Sequence, residues 1–326
     1  MTSSGGDRRR LRISYVLPLK WSDDHGLAEL MTYLATLRDR VELIVVDGSP
    51  EPLFTRHRRL LGEGVRHLPP DPRQACPNGK VAGVRTGVAL ARCDYIVVAD
   101  DDVRYRPAQL ALIEELLERA DLVRPLNSFG PMPWHARWDS ARTLINCALG
   151  ADYPGTLAFR AACYRATEGY AGDVLFENLE LIRTLTAAGA VELRDRRLVV
   201  RRLPPTVRRF AQQRIRQAYD SFAQPARLAA ELAILPAVLG LRRRSWLMAA
   251  LVVGLAAAGR LRAGRQHFPA DVPLWAPAWL LERGICSWLA VGLRWRGGVN
   301  YSGSRIRTAA HSMRQLRDRA DRLTDR

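Results

Sequence analysis

Short, continuously apolar runs rich in β-branched residues alternate, along the first part of the chain, with stretches whose apolar residues recur every three or four positions. Residues 12–19 (RISYVLPL), 41–46 (VELIVV), Val65–Leu68 and Tyr95–Ala99 read as strands, the first closed by Pro18, while 25–37, 56–61, 79–91 and 107–118 read as helices. Leu27, Leu30, Met31, Leu34 and Leu37 make the apolar stripe of the 25–37 helix. Strand, helix and strand at this spacing form a βαβ unit with parallel pairing. Its repetition predicts a doubly wound α/β domain of Rossmann-like kind. Strand character restarts at 122–125, a Pro-, Gly- and Trp-rich loop is expected at 127–138, and a helix at 141–149. A strand at 153–159, helices at 161–167 and 176–188, and one or two strands within 191–201 follow, with no internal repeat and no low-complexity linker.

After about residue 226 the texture changes. Three strongly apolar stretches, 228–241, 245–259 and 272–293, are flanked or interrupted by Arg242, Arg243, Arg244, Glu282 and Arg283. None holds the roughly 20 uninterrupted apolar residues of a standard span. Trp246, Trp275, Trp279, Trp288 and Trp295 sit among them as interfacial residues do. The pattern predicts short or re-entrant membrane-associated helices over 226–300, against the plainer alternative of a buried helical subdomain. The chain then divides into a basic, disordered arm (1–10), an α/β domain (11–225), the membrane-associated helices (226–300) and a basic tail (301–326).

Composition adds the sign of the partner. Fifty Lys and Arg face 33 Asp and Glu, a formal charge of +17, and all but Lys20 and Lys80 of the basic residues are arginine. Such an excess suits an anionic partner: a membrane surface, a phosphorylated substrate or nucleic acid. No aromatic-interleaved basic motif of an RNA reader is present, so no nucleic acid is expected. Cys76, Cys93, Cys147, Cys163 and Cys286 are odd in number and lack metal-type spacing, which fits reduced thiols. No signal-type apolar core follows the polar, basic first ten residues, so the expected place is the cytoplasmic face of the cell membrane.

The chemistry concentrates where the strand Tyr95–Ala99 runs into Asp100, Asp101 and Asp102. Three adjacent carboxylates repel one another and need a cation or a field of donors to stay ionised. Open α/β sheets bind ligands at the C-terminal ends of their strands. Hard oxygen ligands there suit Mg²⁺ or Mn²⁺ bridging to phosphates. The alternative is a solvated acidic turn at the N-terminus of the 107–118 helix.

Several segments together resemble family 2 glycosyltransferases, which have the GT-A nucleotide-sugar fold, and are most similar to the branch of ceramide glucosyltransferase and its bacterial relatives. The similar segments are Val16-Leu17-Pro18, Val45-Val46-Asp47-Gly48-Ser49, Asn78-Gly79-Lys80, the Asp triad, Gly155-Thr156, Glu177-Asn178-Leu179-Glu180-Leu181 and Gln213-Arg214-Ile215-Arg216-Gln217. The resemblance runs from about residue 12 to 220 and more loosely to Tyr301. It implies a mixed central sheet and an inverting transfer of a hexose from a nucleotide diphosphate, UDP-linked by preference, to a lipid hydroxyl. Donor contacts fall to Pro18, Asp47, Lys80, Asp100, Asp101, Gln213 and Arg216, a divalent metal to Asp102 with Asp100, and acceptor contacts to Gly155 and Thr156. The family's usual base is an Asp where this chain has Asn178, and an amide cannot take a proton. Glu177 is therefore the favoured base, with Asp173 and Glu180 as the other nearby carboxylates. The family's motif tryptophan is replaced by Gln217. A sugar nucleotidyltransferase, or a basic membrane- or nucleic-acid-binding protein with a degenerate site, are the rival readings.

Overall fold

The computed structural model describes residues 9–150, 152–301 and 303–324. The arm expected at 1–10 lies outside these residues but for its last two positions, as do Asp325 and Arg326 of the tail.

The first half follows the hydrophobic pattern closely. Strands β1 (Ile13–Leu19), β2 (Glu42–Asp47), β3 (Val65–Leu68) and β4 (Tyr95–Ala99) pair in parallel, linked by helices α1 (Leu27–Ala35), α2 (Glu51–Leu61) and α3 (Gly79–Leu90). Pro18 does not end β1. The strand continues to Leu19 beside β2, whereas its pairing with β4 stops at Val16, so a residue without an N–H costs no ladder bond on the β4 side. After β5 (Val103–Arg104) and α4 (Pro107–Leu117) come β6 (Leu122–Val123) and β7 (Leu126–Phe129). The long helix α5 (Trp134–Leu149) starts inside the stretch expected to be a loop. Next are β8 (Thr156–Arg160), α6 (Ala161–Arg165), α7 (Glu177–Ala187), β9 (Glu192–Leu193), β10 (Val199–Arg202) and α8 (Val207–Tyr219).

The central sheet has the order β3-β2-β1-β4-β8-β6-β9 and is mixed, because β8 runs antiparallel to both β4 and β6. The stretch expected to hold one or two strands splits between two sheets: β9 joins the central one, and β10 pairs with β5 and β7 in a second. Each face of the central sheet carries its own apolar core. One is centred on Leu30, Leu34, Leu110 and Ile113 from α1 and α4, the other on Val84, Val88, Leu181 and Leu185 from α3 and α7. Helix α3 lies flush on β1 because Gly87 has no side chain: a Cβ there would sit 2.3 Å from Val16 Cγ1. That close approach sets the N-terminus of α3 at the C-terminal edge of the sheet.

Helices α9 (Pro225–Gly240), α10 (Ser245–Ala263) and α11 (Ala276–Trp295) show no break in packing from the domain before them. A core built from Ala141, Leu144, Val252, Ala256, Phe268 and Trp279 joins α5 to α10 and α11. The charges that interrupt the third apolar stretch point inward; Glu282 Oε2 accepts from Trp138 Nε1 at 3.0 Å. Among the described residues one helical stretch, Arg242–Ala263, is long and apolar enough to cross a membrane. The described residues of the basic tail include secondary structure packed on the rest of the fold. A hairpin, β11 (Val299–Tyr301) and β12 (Ser304–Ile306), precedes a segment that bonds to the loop leading into α7: Leu175 N–H donates to Thr308 O at 3.0 Å and Phe176 N–H to Ala309 O at 2.8 Å. Helix α12 (Met313–Thr324) then packs on α7.

Candidate active site

The C-terminal ends of β1, β2 and β4, the N-termini of α3 and α7, and parts of β10, α5, α8, α11 and β11 surround one cavity of about 990 Å³. That is the upper end of the range for small-molecule sites. Its lining includes Pro18, Lys80, Asp100, Asp101, Asp102, Gly155, Glu177, Gln213 and Arg216, which are residues read as functional from the sequence.

Asn78 shows how two distant segments are brought together. Its Oδ1 caps α3 by accepting from Lys80 N–H at 3.1 Å, and its Nδ2 donates to Val174 O at 2.9 Å. The start of α3 is thereby tied to the loop leading into α7, and Lys80 Nζ reaches both Glu177 Oε1 and Asp100 Oδ1 at 2.5 Å. Burial disfavours the ammonium, but Asp100 and then Glu177 more than offset this, and the Lys80 pKa is raised. The Asp100 pKa is lowered: burial opposes ionisation, and Lys80 and Arg202 outweigh it.

The three aspartates do not point to one place. Asp101 Oδ2 accepts from Trp21 Nε1. Asp100 and Asp102 instead share a single guanidinium: Arg202 Nε lies 2.9 Å from both carboxylate oxygens of Asp102, and Arg202 Nη2 lies 3.4 Å from Asp100 Oδ2. Gly155 leaves room for this grouping, since a Cβ there would be 2.7 Å from Asp100 Oδ2 and 3.1 Å from Arg202 Cζ. Burial, with Asp100 and Asp101 adding to it against the pull of Arg202, pushes the Asp102 pKa up to about 6. Asp100 and Asp102, bridged by one guanidinium, are the two oxygen donors of this corner that could hold a divalent cation, whereas Asp101 is engaged by Trp21.

Other expected residues lie elsewhere. Asp47 does not face the cavity: its Oδ2 is 2.6 Å from His57 Nδ1 and 3.0 Å from His67 Nε2, and its Oδ1 accepts from Ser49 N–H at 2.9 Å. Those bonds, working against burial, hold its pKa down to about 2. The side chain is therefore taken up by the α2 and β3 histidines rather than presented to a nucleotide. Thr156 is buried as well, its hydroxyl spent on Val98 O at 2.7 Å and Tyr105 Oη at 2.8 Å. Glu180 is fully buried on α7, where it accepts from His311 N–H and pairs with His311 Nδ1. Residues three apart share a helix face, so the spacing places Glu180 beside Glu177; its commitment to His311 is what removes it from the cavity. Asp173 is exposed and outside the lining. Asn178 lines the cavity, with Nδ2 donating to Pro154 O at 2.9 Å.

Among the lining residues given no role from sequence, four carry chemistry that only the fold reveals. Arg202 sits in a strand of a chain crowded with arginine and carries no distinguishing spacing. Tyr301, from β11, lies under Arg216 with Cζ 5.1 Å from the ring centroid, a contact between segments distant in the chain. Asp220 lies one turn beyond Arg216, where it would be read as a surface helix pair. In the fold it lines the cavity with Oδ1 buried and unbonded. Burial, partly countered by Arg216 and reinforced by Glu177, pushes its pKa up to about 7. Arg283 of α11 completes the far wall.

With this geometry in place, comparison with solved structures is informative. The chain superposes on a mannosyltransferase, PcManGT from Pyrobaculum calidifontis, determined in complex with GDP-Man and Mn²⁺, with a TM-score of 0.54, 15% identity, and 86% of this chain and 87% of that one covered. The fold is that of a GT-A glycosyltransferase. At this identity the likeness extends to the GT-A fold and no further. A mycobacterial protein (TM-score 0.42, 19% identity, 67% and 78% covered) and TarS of S. aureus (0.41, 14%, 62% and 39%) superpose too loosely to bear on the site. No family model and no curated protein matches the sequence.

Proposed function

We propose that the protein is an inverting glycosyltransferase of the family 2 type, nearest the ceramide glucosyltransferase branch, that moves a hexose from a nucleotide diphosphate to a hydroxyl of a membrane-bound lipid. The observation that carries this reading is the Lys80 ammonium held between Asp100 and Glu177 at the mouth of the Asp corner, inside a cavity large enough for a donor and part of an acceptor. A cation at a helix N-terminus beside that corner is placed for the diphosphate of a departing nucleotide. Pro18, Gly48, Asp101, Gln213 and Arg216 line the same cavity and are the contacts proposed for the nucleotide.

In this proposal Asp220 accepts the proton of the acceptor hydroxyl as that oxygen bonds to the anomeric carbon and the bond to the diphosphate breaks. Glu177, the base favoured from sequence, has one oxygen committed to Lys80 and serves to orient that lysine. Asp220 has an unbonded oxygen and a proton affinity near working pH, which a general base needs. A divalent ion held by Asp100 and Asp102 would supply Lewis-acid stabilisation of the leaving diphosphate. The test is a panel of UDP- and GDP-hexoses incubated with extracted lipids. Labelled lipid product is expected for a UDP-hexose; turnover of nucleoside triphosphate with sugar phosphate and no lipid product would instead show a nucleotidyltransferase.

Membrane association at the cytoplasmic face belongs to the same proposal. On α11 the exposed residues Leu281, Ile285, Trp288 and Leu289 form one stripe, and Trp246, Leu247 and Leu251 are exposed on α10, next to Arg242, Arg243 and Arg244. Each large apolar side chain inserted is worth about 1.5–3 kcal/mol. The combined change of Trp246, Leu251 and Trp288 to Glu is expected to weaken sedimentation with phosphatidylglycerol vesicles by at least about a hundredfold. Unchanged binding would remove the bilayer from the proposal.

A further inference from the structure

Arg283 heads the fully buried side chains in volume among the described residues, at 1% exposure. It lines the cavity, yet among the described residues its Nε, Nη1 and Nη2 have no hydrogen-bond partner and no carboxylate lies within ion-pair distance. Its one close contact of note is the Trp279 ring, 5.5 Å from Cζ. The acidic neighbours turn elsewhere. Glu231 takes Arg227 Nε at 2.9 Å and Ser287 Oγ at 3.1 Å, and Glu282 turns Oε2 to Trp138 and Arg214 while its Oε1 is buried without a hydrogen-bond partner among the described residues. A buried guanidinium left in this state destabilises the fold strongly unless an anion meets it.

Arg283 enters the cavity from α11, whereas Lys80, Asp100 and Arg202 enter it from α3, the end of β4 and β10. Asp220, just past the end of α8, lines the same cavity. Helix α11, which carries Arg283 inward, is also the helix that presents Leu281, Ile285, Trp288 and Leu289 outward.

Resting on the transferase reading above, we infer that Arg283 anchors an anion subsite at the acceptor end of the cavity, and that the acceptor is a lipid bearing a phosphate-class oxyanion. The planar guanidinium fork matches phosphate oxygens, and the adjacent apolar stripe accommodates the chain attached to them. The acceptor hydroxyl would then lie toward Asp220, between the subsite and the sugar donor.

The test uses the full-length protein in detergent, titrated with decyl phosphate, decanol, inorganic phosphate, UDP and GDP. Wild type is expected to bind decyl phosphate at least about tenfold more tightly than decanol or inorganic phosphate. Arg283→Met is expected to lose that preference, Arg283→Lys to keep part of it, and both to hold the nucleotide that wild type binds, UDP or GDP, within about twofold. Without ligand, Arg283→Met should melt above wild type, because the unpaired charge is gone. Equal binding of decyl phosphate by wild type and Arg283→Met would overturn the subsite. An equally tight response to inorganic phosphate would remove the lipid from it. A tenfold loss of that nucleotide in both variants would assign Arg283 to the donor diphosphate instead. Absence of any nucleotide binding by wild type would count against the transferase reading separately, with decyl phosphate still reporting on Arg283.

Discussion

Asp220→Asn is expected to lower kcat by about 10²–10⁴-fold, the span that general-base catalysis contributes, while nucleotide-sugar affinity changes little. The side chain keeps its shape, and the change removes only the ability to take a proton. The pH profile gives the sharper readout. A base must be ionised to work, and the Asp220 pKa is pushed up to about 7. Wild-type kcat should therefore fall as pH drops below about 7, roughly tenfold per unit, and this acid limb should vanish in the variant. Glu177→Gln is the control. It disturbs Lys80, so it should weaken donor binding as well as turnover, but it should retain the acid limb. If Glu177→Gln removes the limb and Asp220→Asn leaves it, Glu177 is the base and Asp220 a buried structural acid.

Asp102→Asn should cost about 10³-fold in transfer, in line with the several kcal/mol that a metal contributes to a leaving diphosphate and the tenfold change that each 1.4 kcal/mol represents. The variant should remain folded, because Arg202 can still pair with Asp100. A pH dependence follows here as well. With Asp102 raised to about 6, protons compete with the ion for the carboxylate. Affinity for Mn²⁺, measured by calorimetry, is expected to be level above about pH 7 and to fall below pH 6. Arg202 competes too, so Arg202→Met should bind Mn²⁺ more tightly than wild type even if it turns over more slowly. Transfer unaffected by EDTA and by Asp102→Asn would show that Lys80 and Arg202 neutralise the diphosphate without a metal.

Much of the frame is legible in the chain itself, because it is written in local periodicity. The βαβ order, the buried run of β4 and the placement of Lys80 at the head of α3 follow from hydrophobic spacing and from which residues can start or end an element. The acidic corner after β4 is equally local. Which carboxylates act is not. Asp47, Asp173, Glu177 and Glu180 look alike as residues beside a turn or a helix start. Only packing directs Asp47 to two histidines and Glu180 to His311, and leaves Asp173 in solvent.

The amino-acid order alone therefore settled that an α/β sheet ends in a cluster of carboxylates with one lysine nearby, since those features depend on neighbours a few positions apart. The tertiary structure decided that Arg202 clasps two of the aspartates, that Tyr301 returns from β11 to lie under Arg216, and that Asp220 and Arg283 face the same cavity. Those contacts join residues up to about a hundred positions apart. Their chemistry comes from burial, which raises or strands a charge according to what surrounds it in space, and no spacing along the chain encodes that.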